Sequence, residues 1–412
     1  MISETNGETQ DAQKQVARTP TLSAETESIS TSEFAAAFGE DLSQTLDLDT
    51  WDAGGQLAAV FDRLDREVAE ALDREDTIRK AVRQVVFPTI TARSNAPGEA
   101  GVFQATTQEL KSTQANILFN GGTEGCDGTC AVHDTLPLTI AQIGVYLVSY
   151  LGEHGSWVQR LFRRDLRVRG LDPVEEAVAV LERRAARAGF GQPSARDKLT
   201  ELGRRGIMTY AERAVLLRKS KAPWRMGHGN PAPYEILTGS GSMDLLKAGL
   251  DVVEELVVTH RRFVFIPSAP GERMLLTIGN ALRPLEYAVV DDSKQRIERI
   301  IEQGHLRGPH RKRAEDFCRA TSSEILIGVY RTSSDVPCQI FYAHKDFVHE
   351  AALIAMADSI IQSHRGFPML IDLADSVCRS TFGIEAFNST VQSAYARRGK
   401  ALPFLGERQT RA

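Results

Sequence analysis

The stretch Gly121-Gly-Thr-Glu-Gly-Cys-Asp-Gly-Thr129 holds the residues best suited to chemistry in this sequence. An aspartate beside a glycine, after a segment of strand character, can present carboxylate oxygens to a hard divalent cation, provided that acids from distant parts of the chain converge on it. Asp127 is that residue. Taken alone, Asp-Gly-Thr reads equally as an ordinary turn, because glycine lets the backbone bend sharply. Close by, Cys126, Cys130, His133 and Asp134 form a compact donor set that could bind zinc. No second paired set follows, as a zinc module would require, and no third group marks a cysteine nucleophile with a histidine base. Two basic clusters could neutralise phosphates: one contains Arg160, Arg163 and Arg164, the other Arg311, Lys312 and Arg313. Lys294, which opens a helical pattern after Val290-Asp-Asp-Ser293, could do the same. Each of these also reads as a solvated face. The loop-like run Trp224-Arg-Met-Gly-His-Gly-Asn-Pro-Ala-Pro233 could position a substrate. Gly239-Ser-Gly241, before a helix, could offer amides to an anion, but it lacks the lysine and spacing of an ATP-binding loop.

These side chains need a scaffold, and the composition bounds it. A chain of 412 residues is about two to three domain lengths. With 42% hydrophobic and 25% charged residues it is neither disordered, collagenous nor coiled coil as a whole. Lysine and arginine number 49 against 54 acidic residues, for a net charge of -5, so any contact with nucleic acid must be local. Five cysteines without a CxxC pair, and no apolar leader at the N-terminus, point to the cytoplasm. Apolar runs such as 140–151 fall short of the roughly 18 to 20 residues needed to cross a bilayer, so no membrane association is expected.

Residues 1–32 are rich in Ser, Thr, Glu and Gln, a composition that reads as a disordered leader. Residues 33–100 read as a helical region for packing or dimerisation. Within it Leu57, Val60, Phe61, Leu64, Val68 and Leu72 recur three or four residues apart. The main domain is expected over 101–412. Extended segments at 116–119, 139–150 and 157–166 suggest a meander, followed by helical patterns at 173–188 and 194–219. Strand at 234–237, helix at 243–259, strand at 262–267, helix at 273–282, strand at 287–290 and helix at 294–303 then alternate. Strands at 324–331 and 339–343 precede helices at 348–363 and 384–397. That rhythm is α/β.

In the order and spacing of its motifs, the region 116–399 resembles the NurA nuclease family. Cys126-Asp-Gly-Thr129 resembles the family's Asp-Gly-Ser/Thr turn, and Thr139-Ile-Ala-Gln-Ile-Gly-Val145 the strand that follows. Tyr210-Ala-Glu-Arg213 resembles its helical segment with a second acid, and Gly366-Phe-Pro-Met-Leu-Ile-Asp-Leu-Ala-Asp375 its late segment. The resemblance implies an RNase H-like (PIWI-like) mixed sheet with flanking helices. It implies a DNA nuclease dependent on Mn2+ or Mg2+, a homodimer, processing DNA ends with a HerA-type hexameric ATPase in repair or phage defence. The implied ligands and catalytic residues are Asp127, Glu212 and Asp375, with Glu235 as a fourth metal ligand. Two positions depart from the family. Thr238, in Leu237-Thr-Gly-Ser-Gly241, stands where the family has an acid, so either Glu235 or Asp244 takes over or the site is weakened. Asp375 stands where the family has a late histidine. A catalytically inactive adaptor of the ATPase ring is the alternative implied by Thr238.

Overall fold

The computed structural model describes residues 30–51, 57–134, 138–152, 156–165, 202–269, 272–304 and 306–402, with the single positions Val174, Val178 and Leu181. Of the expected leader at 1–32, residues 1–29 lie outside them and Ser30 to Ser32 cap and start a helix; the helical pattern at 173–188 lies almost wholly outside them, as do residues 194–201 of the pattern at 194–219. The chain divides into two compact units, Met1–Glu75 and Asp76–Ala412. In the first, Ser30 and Glu33 form a reciprocal capping box that starts the helix Thr31–Phe38. A second short helix, Leu42–Leu46, follows, and then the long helix Leu57–Ala81 begins. Its apolar stripe, expected to be buried, is exposed at Val60, Phe61, Leu64, Val68 and Leu72.

The second unit is built on one sheet of nine strands: β1 Gly101–Gln104, β2 Thr123–Asp134, β3 Leu138–Val148, β4 Ser156–Asp165, β5 Trp224–His228, β6 Phe263–Ile266, β7 Glu286–Asp292, β8 Ile325–Arg331 and β9 Gln339–His344. The spatial order is β1-β7-β8-β9-β6-β5-β2-β3-β4. β2, β3 and β4 form an antiparallel meander, while β5 lies parallel to β2 and β6 parallel to β5. A three-strand meander continued by two strands parallel to its first is the arrangement of RNase H-like domains, so the expected fold class holds. The antiparallel strands β9, β8, β7 and β1 extend it on the β6 side.

Strand alternation divides the core into two layers. In β6, Phe263 and Phe265 face one cluster with the helices Ile207–Arg218, Met243–Glu254, Arg273–Ala281, Lys294–Gln303 and Gly308–Thr321. Val264 and Ile266 face the other, with Thr107–Thr113, Val348–Ser359 and Met369–Phe382. β6 and β8 are buried along their whole length, which is why they read as unbroken apolar runs.

Four local expectations are corrected. Residues 114–118 form a helical turn rather than a strand, and the first meander strand is the Gly-rich segment itself. Asp127 therefore sits inside β2, opposite Tyr146, rather than in a turn or at a strand end. The loop-like run begins with β5, and the expected strand at 234–237 is the helix Tyr234–Thr238. The late segment enters the helix Met369–Phe382, which carries Asp375. Glycine decides where that helix lies. A Cβ on Gly125 would stand 2.9 Å from Leu370 Cβ, and one on Gly144 would stand 2.2 Å from the Phe382 ring. Both strands thus leave room for the helix to rest on the backbone.

The start of this helix is fixed by a buried acid. The Leu370 amide donates to Asp358 Oδ2 at 2.9 Å, and the Tyr150 hydroxyl donates to Oδ1. Burial pushes the Asp358 carboxyl up to about 6, with the two hydrogen bonds acting against it. Because the folded-state value lies above the unfolded one, the native chain binds more protons between about pH 4 and 6. Stability from this group is complete below pH 4 and is lost as pH rises to 6. Thermal melting of Asp358→Asn should therefore decline less steeply than that of the natural chain across this window; parallel profiles would contradict this origin.

No helix among the described residues is long and apolar enough to cross a membrane.

Candidate active site

The site is built on β2, which pairs antiparallel with β3 and parallel with β5. Its register with β5 runs to Cys126↔Gly227, which leaves Asp127 and His228 as the next residues along each strand. His228 Nδ1 lies 3.2 Å from Asp127 Oδ1, and its Nε2 lies 2.9 Å from Ser268 Oγ. Asp127 Oδ1 also accepts from the Gly128 amide at 2.8 Å. Only one face of the imidazole pair is thus turned to the acids, and Ser268 holds the other.

Glu212 reaches the same place from the helix Ile207–Arg218 on the opposite side of the strand. Its approach depends on Gly128. A Cβ at Gly128 would stand 2.6 Å from Glu212 Oε1. The glycine of the Asp-Gly pair is therefore needed for closeness and not for a turn. Arg213 Nη1 donates to Glu212 Oε2 at 2.7 Å, and Arg213 is itself fixed by the carbonyls of Thr209, Asn230 and Pro231. Burial pushes the Glu212 carboxyl up to about 7; Arg213 opposes that rise and the charge of Asp127 adds to it.

Asp375 comes from the helix Met369–Phe382. Burial raises its carboxyl, and the charge of Asp127 raises it further, against the pull of Arg379, whose Nε lies 3.1 Å from Oδ2. For His228, burial would lower the imidazole, but the hydrogen bond to Asp127 and the charges of Asp127 and Glu212 outweigh it and raise it. Asp127 therefore acts electrostatically on Glu212, Asp375 and His228 together. Excess negative charge in a sparsely hydrated place is relieved by a divalent cation, and two or three carboxylates with an imidazole suit Mn2+ or Mg2+. Arg213 compensates only part of it. Among the described residues no three His, Cys, Asp or Glu side chains already close into a metal cage.

The remaining expected residues fall elsewhere. Glu235 is half-buried in the first turn of Tyr234–Thr238 and shares no hydrogen bond or ion pair with Asp127, Glu212 or Asp375. Thr238 is buried at the end of that helix and donates to the Tyr234 carbonyl at 2.8 Å. The last residue of β5, the strand parallel to β2, is His228, which the sequence reading placed in a loop. Asp244 opens the helix Met243–Glu254. Arg313 ties that helix to Gly308–Thr321 through Asp251 at 2.7 Å and Glu254 at 2.5 Å, and Arg311 pairs with Glu315 at 2.8 Å. Lys312 is exposed on the same helix, and Lys294 starts its own helix with its amide donating to Asp292. Arg160, Arg163 and Arg164 lie on β4, and their side chains lie outside the described residues.

The zinc alternative fails on strand alternation. Cys126 points to the Glu212 carbonyl, while His133, on the other face of β2, meets the Tyr395 hydroxyl at 3.2 Å. Burial pushes the Cys126 thiol well up, so it offers no thiolate.

Comparison of the fold finds solved structures of similar architecture. The NurA nuclease from Sulfolobus solfataricus aligns over 82% of this chain and 98% of its own, at 11% identity and a TM-score of 0.42. NurA bound to dAMP and manganese aligns over 76% and 92%, at 8% identity and 0.39. An endonuclease V from Bacillus subtilis aligns over 65% and 82%, at 11% identity and 0.30. No family model and no curated protein matches the sequence. At these TM-scores it is the geometry of the site that bears on function.

That geometry makes Gly128→Ala informative. A methyl there should drive Glu212 off β2 and weaken Mn2+ binding roughly tenfold or more, as the loss of a supporting contact does at metal sites. Ser268→Ala, which frees the His228 ring, should weaken it to a similar degree, and titration calorimetry on the intact chain reads both. Unchanged Mn2+ affinity in both variants would show that neither contact shapes the site.

Proposed function

We propose that this chain is a metal-dependent nuclease that hydrolyses phosphodiester bonds in DNA. The observation that carries the reading is the placement of Asp127 against His228 at the β2/β5 junction, with Glu212 packed on Gly128 of the same strand. Asp127 and Glu212 would hold Mn2+ or Mg2+ through carboxylate oxygens, with Asp375 and the His228 Nδ1 completing the set. A bound ion would polarise a phosphoryl oxygen and favour ionisation of a water. Arg213 would hold Glu212 Oε2 in place and leave Oε1 for the ion. Ser268 orients His228, so that Nδ1 rather than Nε2 faces the acids. Arg160, Arg163, Arg164, Lys294 and Lys312 remain candidates for phosphate contact, whereas Arg311 and Arg313 are already engaged by acids.

The sequence resemblance extends this proposal to a HerA-type hexameric ATPase as partner and to the processing of DNA ends, in repair or phage defence. A second reading, an inactive adaptor of that ring, is favoured by the engagement of Glu212 by Arg213 and by a histidine at the β5 position.

A nuclease assay on single- and double-stranded DNA separates the two. With Mn2+ or Mg2+ the chain should cut, and Asp127→Asn should lower the rate by about a hundredfold or more while melting is unchanged, since the amide keeps shape but not charge. Absence of cleavage in either metal, with and without a HerA-type hexamer, together with stable binding to the hexamer, would favour the adaptor. Undiminished cleavage by Asp127→Asn would remove the site.

A further inference from the structure

A cavity of about 600 Å³ lies on the layer of the sheet opposite the helix that bears Glu212. Three walls line it: the helix Thr107–Thr113, the loop from Thr332 to Asp335 after β8, and the turn from Ile360 to His364 after the helix Val348–Ser359. Its volume falls within the range of small-molecule sites, about 300 to 1,000 Å³. Each wall is fastened without help from a ligand. The Gln114 side chain donates to the Ala357 carbonyl at 2.8 Å and ties the first wall to the third. The buried Arg331 guanidinium donates to the carbonyls of Ser333 at 3.0 Å and Ser334 at 2.7 Å, and the Asp335 amide donates to Ser333 Oγ at 3.0 Å. A cavity held open in this way demands little ordering when a ligand enters.

The lining is divided by chemistry. Leu110, Leu285 and Ile360 give it an apolar side. Leu285 is held at φ 64, a left-handed conformation that leucine seldom adopts, by bonds of 2.8 Å from its amide to the Arg331 carbonyl and from the Ala105 amide to its own carbonyl. The strained position thus carries a wall side chain where a glycine would be relaxed. Lys111 and Asp335 add one charge of each sign at the exposed edge, and Lys111 has no ion-pair partner among the described residues. Thr332 is only 8% exposed, and its hydroxyl forms no hydrogen bond among the described residues. A hydroxyl buried that far calls for a partner from outside the protein.

We propose that this cavity binds a small organic anion with an apolar body and a hydroxyl or N–H group. Lys111 meets the anionic group, the apolar side takes the body, and Thr332 and Asp335 meet the polar hydrogen. An inorganic ion would leave the apolar side bare, and a hydrocarbon chain would leave Lys111 and Thr332 unmatched. Nucleoside monophosphates and aromatic carboxylates both have the required chemistry. The site is separate from the acids around Asp127, so it stands or falls independently of the nuclease reading.

Fluorescence titration of the full-length chain with anilinonaphthalene sulfonate tests this, because that probe joins a sulfonate and an N–H to aromatic rings. The dissociation constant should rise roughly tenfold in Lys111→Glu, roughly threefold in Thr332→Val, and little in Lys111→Arg. Melting of the lysine variants should be unchanged, since Lys111 is exposed. N-phenylnaphthylamine, the same body without the sulfonate, should bind about tenfold more weakly. Displacement of the probe by adenosine monophosphate would assign the ligand to nucleotides, and displacement by indole acetate would assign it to aromatic carboxylates. Displacement by neither, equal binding of the uncharged probe, or indifference to both Lys111→Glu and Thr332→Val would overturn the proposal.

Discussion

Negative charge gathered at the middle of a buried strand is the constraint on which the rest of this structure depends. Asp127 projects from β2 where water is scarce, and Glu212 presses against the same strand through the gap left by Gly128. Two carboxyl groups that interact out of water are unfavourable as a pair of anions unless a cation or a proton compensates them. The protein meets this in three ways: Arg213 holds one oxygen of Glu212, His228 lies against Asp127, and Glu212 titrates near 7 rather than near 4. An arrangement that is only partly compensated is poised for a divalent cation.

Much of the surrounding architecture serves to keep these groups in register. The helix that bears Glu212 is fixed through Arg213 to the carbonyls of Asn230 and Pro231, just past β5, so the acid and His228 are referred to one rigid point. The helix that bears Asp375 is fixed at its start by the buried Asp358 and along its length by the flat surfaces at Gly125 and Gly144. Asp127, Glu212 and Asp375 thus lie on a strand and two helices rather than on loops. Sites built on strands and helices hold geometry better than sites built on loops.

The first unit follows a different logic. Its long helix leaves Val60, Phe61, Leu64, Val68 and Leu72 exposed, so it draws little stability from side-chain packing.

The sequence by itself determined the α/β class and most elements of the later alternation, and it singled out Asp127, Glu212 and Asp375. It did so because periodicity and glycine spacing are local signals: β6, β7 and the helix Lys294–Gln303 could be read almost to the residue. It also marked the stripe from Val60 to Leu72, though not that the stripe stands uncovered. Tertiary structure decided the rest. β2 reads as a turn because Gly125, Asp127 and Gly128, residues of low strand preference, lie within four positions, and only pairing with β3 and β5 on both sides makes it a strand. β5 reads as a loop because its glycine, histidine and following prolines carry no alternation. His228 was therefore invisible as a partner of Asp127, 101 residues away. Thr238 drew attention through its position in a motif, yet the position that matters is set by which strand lies parallel to β2. Such a neighbour relation is a non-local hydrogen-bonding choice, and no window of residues contains it.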